Sequence, residues 1–440
     1  MAEEKKADCS PEGIAHKLAR PNILALAPYR CARDDYSSGI LLDANENPIG
    51  PTALPTQSTT NSLSLERYPD PYQITLKHKY LQFRNASTQL TPDNVFVGVG
   101  SDEAIDLLMR IFCVPGVDNI VITPPTYGMY KVSAAVNDVE VIKVDLTPDF
   151  DVRVNETLAA TNANTKLLFI CSPGNPTARA IPHSTIIALA TSPLYNGYIV
   201  VDEAYIDFSP VASTISLLSS YPNIIVLQTL SKAFGLAGIR CGFALSHPDV
   251  IQLMNNVKAP YNMNSLTTEV AINALGNVED VLKVNVQTLL EQREVVMKEL
   301  EKLDFVTKVY PSDANFVLFR LERFAQEVYK VVRVLFLYWF VVFEDDGVLF
   351  LSQKVNTHYG RCEKLVFTHI PLLIESLFLT KKITPLHIQK NTQMADGGVV
   401  TRYRGNEVHC HECIRVSIGQ EHENQEFLKR LVDTYQKLSS

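Results

Sequence analysis

The chain has 440 residues, of which 46% are hydrophobic, and this length allows about two or three domains and a sizeable core. Its 40 basic and 48 acidic residues give a formal charge of −8, without a long basic block, so neither nucleic acid nor an anionic membrane is an indicated partner. Small molecules are the expected partners.

The N-terminal residues and the cysteines indicate the compartment. The start, M-A-E-E-K-K-A-D-C-S, carries acids and has no apolar core, which argues against a signal or transit peptide. The eight cysteines lack a framework spacing, and three of them, Cys113, Cys171 and Cys241, lie in apolar runs as small buried hydrophobes do. We therefore expect a reducing, cytoplasmic compartment.

The first hundred residues alternate between irregular and regular patterns. Residues 1–40 read as an irregular arm, and residues 41–50 as a short strand that breaks into a polar turn. The two prolines of residues 66–72 predict an extended path around Tyr68. From residue 94 the pattern predicts a strand, a glycine turn and a helix that begins near Ser101 and Asp102. Free N–H groups at such a helix start can bind phosphate, although Ser and Asp are also the best helix caps.

Strand-like runs then alternate with amphipathic or polar segments. The runs are residues 119–123, 139–144, 167–172, 198–202, 224–228 and 242–245. This alternation predicts an α/β fold with a mostly parallel sheet. Ligands bind at the carboxyl ends of the strands in such sheets, so four segments should converge on one pocket. They are residues 98–102, 172–175, 202–205 and 229–232.

Beyond Pro248 the pattern changes to a smaller α+β arrangement. It predicts a long helix over 278–303, short strands over 306–309, 315–319, 399–402 and 413–417, and a final helix over 421–438. We expect three regions: an N-terminal arm with part of the small domain (1–50), a large cofactor-binding domain (51–300) and a small C-terminal domain (301–440).

Residues 228–242, Q-T-L-S-K-A-F-G-L-A-G-I-R-C-G, suggest a cofactor. Lys232 follows a predicted buried strand, and its amine could form an imine with an aldehyde. Thr229, Ser231 and Arg240 offer two hydroxyls and a guanidinium for a phosphate. This combination suggests pyridoxal phosphate, although a Ser-Lys pair at a loop start is by itself more often a solvated turn.

The sequence also offers the other groups that pyridoxal chemistry needs. Asp202 could face the pyridine nitrogen, Asn175 and Tyr205 could bond the ring oxygen, and Tyr127 could stack on the ring. Each has an ordinary explanation as an exposed strand end, a turn residue or a packing aromatic. Together they favour a cofactor site.

Seven segments in this order resemble the fold-type I, class-II-like pyridoxal-phosphate aminotransferases, specifically the histidinol-phosphate aminotransferase family. They are L-D-A-N-E-N-P, R-Y-P-D-P, G-V-G-S-D-E, P-P-T-Y-G-M-Y, S-P-G-N-P-T-A, V-V-D-E-A-Y and T-L-S-K-A-F-G-L-A-G-I-R-C-G. The resemblance covers residues 20–331 and 394–440. It implies a large domain with a mostly parallel seven-stranded sheet, a smaller α+β domain and pyridoxal 5′-phosphate as cofactor.

The resemblance also implies roles for residues at the cofactor. Lys232 would bind the cofactor and then move the proton between substrate Cα and cofactor C4′. Asp202 would pair with the pyridine nitrogen, Asn175 and Tyr205 with the ring hydroxyl, and Tyr127 would stack on the ring. The phosphate would be bound by Ser101, Asp102, Thr229, Ser231, Arg240 and, from a partner subunit, Tyr68. A site shared in this way implies a homodimer.

For the substrates, the resemblance implies that Arg415 binds the α-carboxylate of glutamate and Arg402 binds the phosphate of histidinol phosphate, with Tyr29 and Asn47 closing on the substrate. Two half-reactions of histidine biosynthesis follow, linking glutamate and 2-oxoglutarate to histidinol phosphate and imidazole acetol phosphate with ping-pong kinetics. Two alternatives remain open: a decarboxylase of a phosphorylated amino acid, and an inactive or binding-only product.

Residues 332–393 depart from the family pattern, which passes almost directly from E-V-Y-K-V to M-A-D-G-G. The apolar run in this segment is shorter than about 20 residues and contains Arg333, which disfavours a membrane span. A lid or partner-binding insertion has no supporting motif. We favour a translated intron, because Val332-Arg333 can be encoded as GTACGT and Gln393 as CAG, which match common splice-site sequences. Mature transcripts that uniformly retain those codons would defeat this hypothesis.

The segment H-C-H-E-C, residues 409–413, consists of residue types that can bind zinc. Zinc sites usually draw ligands from separated pairs, and adjacent side chains on a strand point to opposite faces. We therefore expect a structural role for this segment and no metal.

Overall fold

The computed structural model describes residues 40–42, 45, 47, 49, 65, 68–329, 340–343, 349–352 and 399–440. Its helices are α1 (Ile74–Phe83), α2 (Gly100–Phe112), α3 (Met129–Val136), α4 (Val154–Ala160), α5 (His183–Ala190), α6 (Pro248–Val257), α7 (Ser265–Gly276), α8 (Lys283–Glu301), α9 (Ala325–Tyr329) and α10 (Glu421–Ser439). Short 3₁₀ turns occur at Pro92–Asn94, Ile206–Phe208, Thr214–Leu217 and Ala237–Ile239.

The strands form four separate sheets. In chain order they are β1 (Ile40–Leu41), β2 (Val95–Val99), β3 (Asn119–Ile122), β4 (Glu140–Lys143), β5 (Thr165–Cys171), β6 (Tyr198–Asp202), β7 (Ile224–Thr229), β8 (Cys241–Leu245), β9 (Val306–Val309), β10 (Phe316–Leu321), β11 (Phe340–Phe343), β12 (Leu349–Ser352), β13 (Val399–Val400), β14 (Arg402–Tyr403) and β15 (Cys413–Ser417).

The largest sheet has seven strands in the order β2-β8-β7-β6-β5-β3-β4. The strands from β7 to β4 pair in parallel, whereas β8 runs antiparallel to both β2 and β7. This confirms the predicted α/β fold with a mostly parallel seven-stranded sheet. The carboxyl ends of β2, β3, β5, β6 and β7 consequently lie at one edge.

Both faces of this sheet are covered, which explains why its strands read as continuous apolar runs. On β5, Leu168 and Ile170 belong to one buried cluster, whereas Leu167 and Phe169 belong to another on the opposite face. All four side chains are fully buried. The site at the carboxyl edge therefore lies on a rigid, close-packed layer.

A second, four-stranded sheet has the order β14-β15-β10-β9, and its strands pair antiparallel. Helix α10 packs on it through aromatic contacts, with the rings of Phe319 and Phe427 6.1 Å apart and those of Phe305 and Tyr435 4.0 Å apart. The N-terminal strand β1 pairs in parallel with β13. The boundaries at residues 50 and 300 stay a prediction.

Two elements differ from the sequence prediction. The strand expected over 399–402 is divided at Thr401, because Val399–Val400 pairs with β1 while Arg402–Tyr403 pairs with β15. The helix expected over 278–303 starts with a π-helical turn, Val278–Leu282, before α8. At Thr401 tertiary pairing divides a segment that periodicity alone predicts to be uniform, and the π-helical turn is a local departure that periodicity does not show.

The segment 332–393 lies outside the described residues, apart from the antiparallel pairing of β11 with β12. The translated-intron hypothesis therefore stays a prediction. Among the residues that the structure describes, no helix is long and apolar enough to cross a membrane.

Candidate active site

A cavity of about 600 Å³ opens at the carboxyl edge of the large sheet. Its size lies in the usual range for a small-molecule site. The structure brings most of the residues singled out in the sequence into its wall. These are Ser101, Asp102, Tyr127, Asn175, Asp202, Tyr205, Thr229, Ser231, Lys232, Arg240, Arg402 and Arg415.

Two of the expected residues, Asn47 and Tyr68, are not part of this wall. Asn47 is buried and donates its side-chain amide to the Ala233 carbonyl at 2.9 Å, so it holds the segment after Lys232. Tyr68 is 81% exposed and stacks on Tyr261 with 4.5 Å between the ring centroids. Tyr29 lies outside the described residues.

Lys232 is held at the cavity floor by the turn that follows β7. The Ser231 N–H donates to the Thr229 hydroxyl at 3.1 Å, and the Leu230 N–H donates to the Cys241 carbonyl at 3.0 Å. The Lys232 Nζ lies 5.7 Å from the centroid of the Tyr205 ring. A strand end and a fixed turn thus place the amine beside the aromatic wall.

Asp202 ends β6 and is almost fully buried. Its carboxylate accepts a hydrogen bond from the Tyr130 hydroxyl at 2.7 Å and one from the Ala204 N–H at 3.2 Å. Burial raises its pKa to about 6, although these hydrogen bonds act in the opposite direction. Within the described ranges no basic side chain forms a salt bridge with Asp202, so this buried carboxylate suits a cationic ring nitrogen.

The start of α2 faces the loop that carries Arg240. Gly100 has a φ of +73°, and a Cβ on it would lie 2.6 Å from the Arg240 guanidinium. The same guanidinium lies 3.3 Å from the Asp102 carboxylate, which also accepts a hydrogen bond from the Tyr127 hydroxyl at 3.1 Å. Val99 is the N-cap residue of α2. Ser101 and Asp102 therefore lie in the first turn and do not cap the helix. Their N–H groups are therefore positioned as an anion site.

A polar network connects the large sheet with the second sheet. Arg415 is buried and donates from Nη1 to the Asn175 side-chain oxygen at 2.5 Å. The Tyr205 hydroxyl accepts from Asn45 at 3.0 Å and lies 3.4 Å from the Asn175 amide nitrogen. The network thus holds Arg415, Asn175 and Tyr205 in fixed positions relative to one another.

Sequence reasoning missed several residues in the cavity wall or in contact with it. Tyr130 was not identified as the partner of Asp202, although it lies in the quoted P-P-T-Y-G-M-Y segment. Asn45 belongs to L-D-A-N-E-N-P, and its φ of 54° is a left-handed conformation that Asn tolerates. The other wall residues to which sequence reasoning gave no role at the site are Pro124, Thr126, Gly128, Lys131, Lys143, Asp145, Cys171, Ala204, Arg404, Asn406, Glu407 and Val408.

The H-C-H-E-C segment lies beside this wall. His409 contacts the Leu146 carbonyl through Nε2 at 3.0 Å, and Cys410 and Cys413 are buried free thiols. In the described part of the chain no group of three or more His, Cys, Asp or Glu side chains could hold a metal ion.

The polar groups of the cavity fit a phosphorylated pyridine aldehyde. An amine is present for the aldehyde, a buried carboxylate for the ring nitrogen, and two polar groups for a ring oxygen. A helix start, two hydroxyls and a guanidinium form an anion site for the phosphate. Three further arginines, Arg402, Arg404 and Arg415, line the cavity, and guanidinium groups bind the anionic groups that a substrate could present. This arrangement is suited to amino-group chemistry.

Comparisons with known proteins agree with this geometry. Residues 37–431 match the family of aminotransferases of class I and II. The histidinol-phosphate aminotransferase of Candida maltosa is 40% identical over 427 residues, covering 94% of this chain and 96% of that protein. That of Schizosaccharomyces pombe is 40% identical over 422 residues, covering 94% and 95%.

Among solved structures, the histidinol-phosphate aminotransferase of Sinorhizobium meliloti in complex with pyridoxal-5′-phosphate has a TM-score of 0.71 at 21% identity, covering 96% of this chain and 98% of that chain. At this identity the likeness shows the shared fold-type I architecture. The family match and the identity to full-length relatives together establish that the chain belongs to the class I and II aminotransferases, within the histidinol-phosphate aminotransferases.

Proposed function

We propose that the protein transfers an amino group between L-histidinol phosphate and 2-oxoglutarate, giving imidazole acetol phosphate and glutamate, with pyridoxal 5′-phosphate as cofactor, as a step of histidine biosynthesis. The observation that carries this proposal is a single cavity that contains Lys232, Asp202 and two arginines, Arg402 and Arg415. The identity to curated histidinol-phosphate aminotransferases along most of the chain supports the choice of substrate.

When bound, the cofactor supplies an electron sink for the bond at substrate Cα. Lys232 would hold the cofactor through its amine, and Nζ would serve as the base that moves the proton at substrate Cα. The hydrogen bonds of the turn after β7 hold this residue in the cavity wall. Lys232 therefore acts as both the anchor and the general base.

Asp202 would keep the ring nitrogen protonated, because it offers a buried carboxylate. Tyr130 orients that carboxylate through its 2.7 Å hydrogen bond. Asn175 and Tyr205 would hydrogen-bond the ring oxygen, and Tyr127 would pack on the ring. Arg415 binds the α-carboxylate of glutamate, and Arg402 binds the phosphate of histidinol phosphate.

The cofactor phosphate requires Gly242 as well as the donors around it. A Cβ on Gly242 would lie 2.3 Å from the Gly100 carbonyl carbon and 2.4 Å from the Ser101 nitrogen. Gly242→Ala therefore pushes the start of α2 away from Arg240, and the dissociation constant of pyridoxal phosphate is expected to rise about 10-fold. Titration of the cofactor-free protein by fluorescence measures this. Gly238→Ala is the control, because nothing lies within 4 Å of a Cβ there; equal affinities for the two variants would contradict the assignment.

The protein acts as a homodimer in this proposal, with Tyr68 reaching the phosphate in the partner's site. The exposed Tyr68 and Tyr261 rings stack on each other outside the cavity, and an exposed aromatic pair suits an interface. Tyr68→Ala is expected to weaken cofactor binding about 10-fold or more, since a hydrogen bond to a charged phosphate is lost.

Mixing two impaired variants tests whether Tyr68 acts across subunits. Lys232→Ala supplies an intact Tyr68, and Tyr68→Ala supplies an intact Lys232, so the mixed dimer should regain activity at one of its two sites. Lys232→Ala mixed with Asp202→Asn is the control, because both lesions lie in the subunit's own cavity. Failure of the first mixture to exceed the control would show that Tyr68 does not complete the partner's site.

Steady-state kinetics test the reaction itself. Initial rates with histidinol phosphate and 2-oxoglutarate should give the parallel double-reciprocal lines of a ping-pong mechanism, with glutamate formed in step with imidazole acetol phosphate. Release of carbon dioxide from a phosphorylated amino acid without consumption of 2-oxoglutarate would contradict the proposal.

We also propose the three-part division at residues 50 and 300 and a cytoplasmic location. The division is supported by the separate seven-stranded and four-stranded sheets. The location is supported by the eight cysteines without framework spacing.

A further inference from the structure

Arg404 and Glu407 form an ion pair in the cavity wall, on the segment that follows β14. Arg404 Nη1 lies 3.0 Å from Glu407 Oε1, and the side chains are 20% and 27% exposed. Both line the same cavity as Lys232 and Arg402. Neither residue has a role in the reaction described above.

The backbone holds this pair in place. The Glu407 N–H donates to the Arg404 carbonyl at 2.9 Å, and the Arg404 N–H donates to the Cys413 carbonyl at 2.9 Å. The Cys410 N–H in turn donates to the Glu407 carbonyl at 3.1 Å. The pair is therefore preorganised on the edge of β15, the strand that carries Arg415.

The other acidic groups of the cavity are mostly engaged. Asp102 pairs with Arg240 and accepts from Tyr127, and Asp202 accepts from Tyr130. Glu407 and Asp145 are the two further carboxylates in the wall. Glu407 lies five residues after Arg402, on the same segment as the proposed phosphate ligand, and it is the one of the two that is paired with an arginine of the wall.

The side chains of the two substrates need different binding partners in the cavity wall. The imidazole of histidinol phosphate presents an N–H donor, whereas the side chain of glutamate presents two carboxylate oxygens. A lone carboxylate would repel glutamate, and a lone guanidinium would offer imidazole no acceptor. A paired Arg and Glu can serve both, because each can turn to a ligand while the two charges stay together.

We propose that the Arg404–Glu407 pair recognises the side chains of both substrates: Glu407 accepts a hydrogen bond from the imidazole of histidinol phosphate, and Arg404 binds the side-chain carboxylate of glutamate. This inference rests on the proposed function. It makes the pair a specificity determinant that alternates between the two half-reactions.

The test measures each half-reaction separately on the full-length, reconstituted protein, by the absorbance of the bound cofactor. Glu407→Gln should lower kcat/KM for histidinol phosphate about 10- to 100-fold, the range for losing a charged hydrogen bond, and should change glutamate less than about 3-fold. Arg404→Gln should show the reverse preference. Phenylalaninol phosphate, which has a ring without N–H groups, should react equally with the wild type and Glu407→Gln.

Control variants separate recognition from general damage. Glu426→Gln makes the same change in an Arg–Glu pair on α10, where Arg430 Nε lies 2.6 Å from Glu426, and should alter neither half-reaction. Asp145→Asn tests the competing carboxylate, and a selective loss of histidinol phosphate in that variant instead of Glu407→Gln would overturn the inference.

Three further outcomes would overturn either the inference or the proposed function. An equal loss with histidinol phosphate and phenylalaninol phosphate in Glu407→Gln would reduce the residue to a structural role and overturn the inference. Unchanged kinetics in both Glu407→Gln and Arg404→Gln would do the same while leaving the proposed function intact. A wild type that reacts with glutamate but not with histidinol phosphate would instead refute the proposed function.

Discussion

Replacing Lys232 with Ala is expected to lower the rate of both half-reactions by about 10⁴-fold, because the variant loses the general base and the covalent anchor together. The geometry supports one lysine in this role, since Nζ lies beside Tyr205 on the turn after β7. Single-turnover absorbance changes with histidinol phosphate measure the effect.

A second readout identifies the lysine directly. Borohydride reduction of the wild type should attach the cofactor covalently to the peptide that contains Lys232, and this label should be absent from Lys232→Ala. Lys166→Ala is the control, because Lys166 is a partly exposed lysine that pairs with Asp118 outside the cavity. A Lys232→Ala protein that keeps its rate within about 10-fold of the wild type would contradict the assigned role.

Replacing Asp202 with Asn is expected to reduce kcat about 10²- to 10³-fold while stabilising the cofactor-free protein. The rate falls because a neutral amide cannot keep the ring nitrogen protonated, a loss of preorganised electrostatic stabilisation. The stability rises because the native state no longer buries a carboxylate whose ionisation is unfavourable there. Activity and stability should thus change in opposite directions at this one position.

The raised pKa of Asp202 determines how the free energy of unfolding changes with pH. Burial raises the pKa of Asp202 from 3.8 to about 6, so between these values the native protein binds more protons than the unfolded chain. The free energy of unfolding of the wild type therefore falls as the pH rises through this window, by roughly 3 kcal/mol in total. Asp202→Asn lacks this penalty and should be the more stable protein near neutral pH.

Urea unfolding of the cofactor-free proteins at two pH values tests this prediction. The advantage of Asp202→Asn should be up to about 3 kcal/mol near neutral pH and should shrink towards zero at about pH 4. Asp149→Asn is the control, because the Asp149 side chain is 80% exposed. An Asp202→Asn variant that is less stable than the wild type near neutral pH would show that the buried carboxylate is compensated within the protein.

The sequence predicted the site best where a candidate catalytic residue lies at or just after the end of a strand. Asp202 ends β6, and Lys232 follows β7 by three residues. Alternating apolar runs and turn residues reveal such positions locally, and parallel pairing then brings them to one edge. For this reason the α/β sheet and most of the cavity wall could be predicted before any coordinates were considered.

Partners that depend on docking between distant segments could not be predicted in the same way. Asn45 accepts a hydrogen bond at its backbone oxygen from Asn315, 270 residues away, and its contact with Tyr205 depends on that placement. The division of the predicted strand at Thr401 has the same origin, because its two halves pair with β1 and β15. Periodicity describes one segment at a time and does not contain such pairings.

The most direct test of the central claim is an absorbance titration of the purified 440-residue protein, reconstituted with pyridoxal phosphate, against histidinol phosphate. The proposed function predicts that the visible absorbance of the bound cofactor is lost as the amino group is transferred, and that 2-oxoglutarate restores it. A protein that shows this visible absorbance but does not respond to histidinol phosphate would contradict the claim. If the visible absorbance never forms, the same titration on a variant lacking residues 332–393 decides: a response there supports the claim and assigns the loss to that segment, whereas no response contradicts the claim.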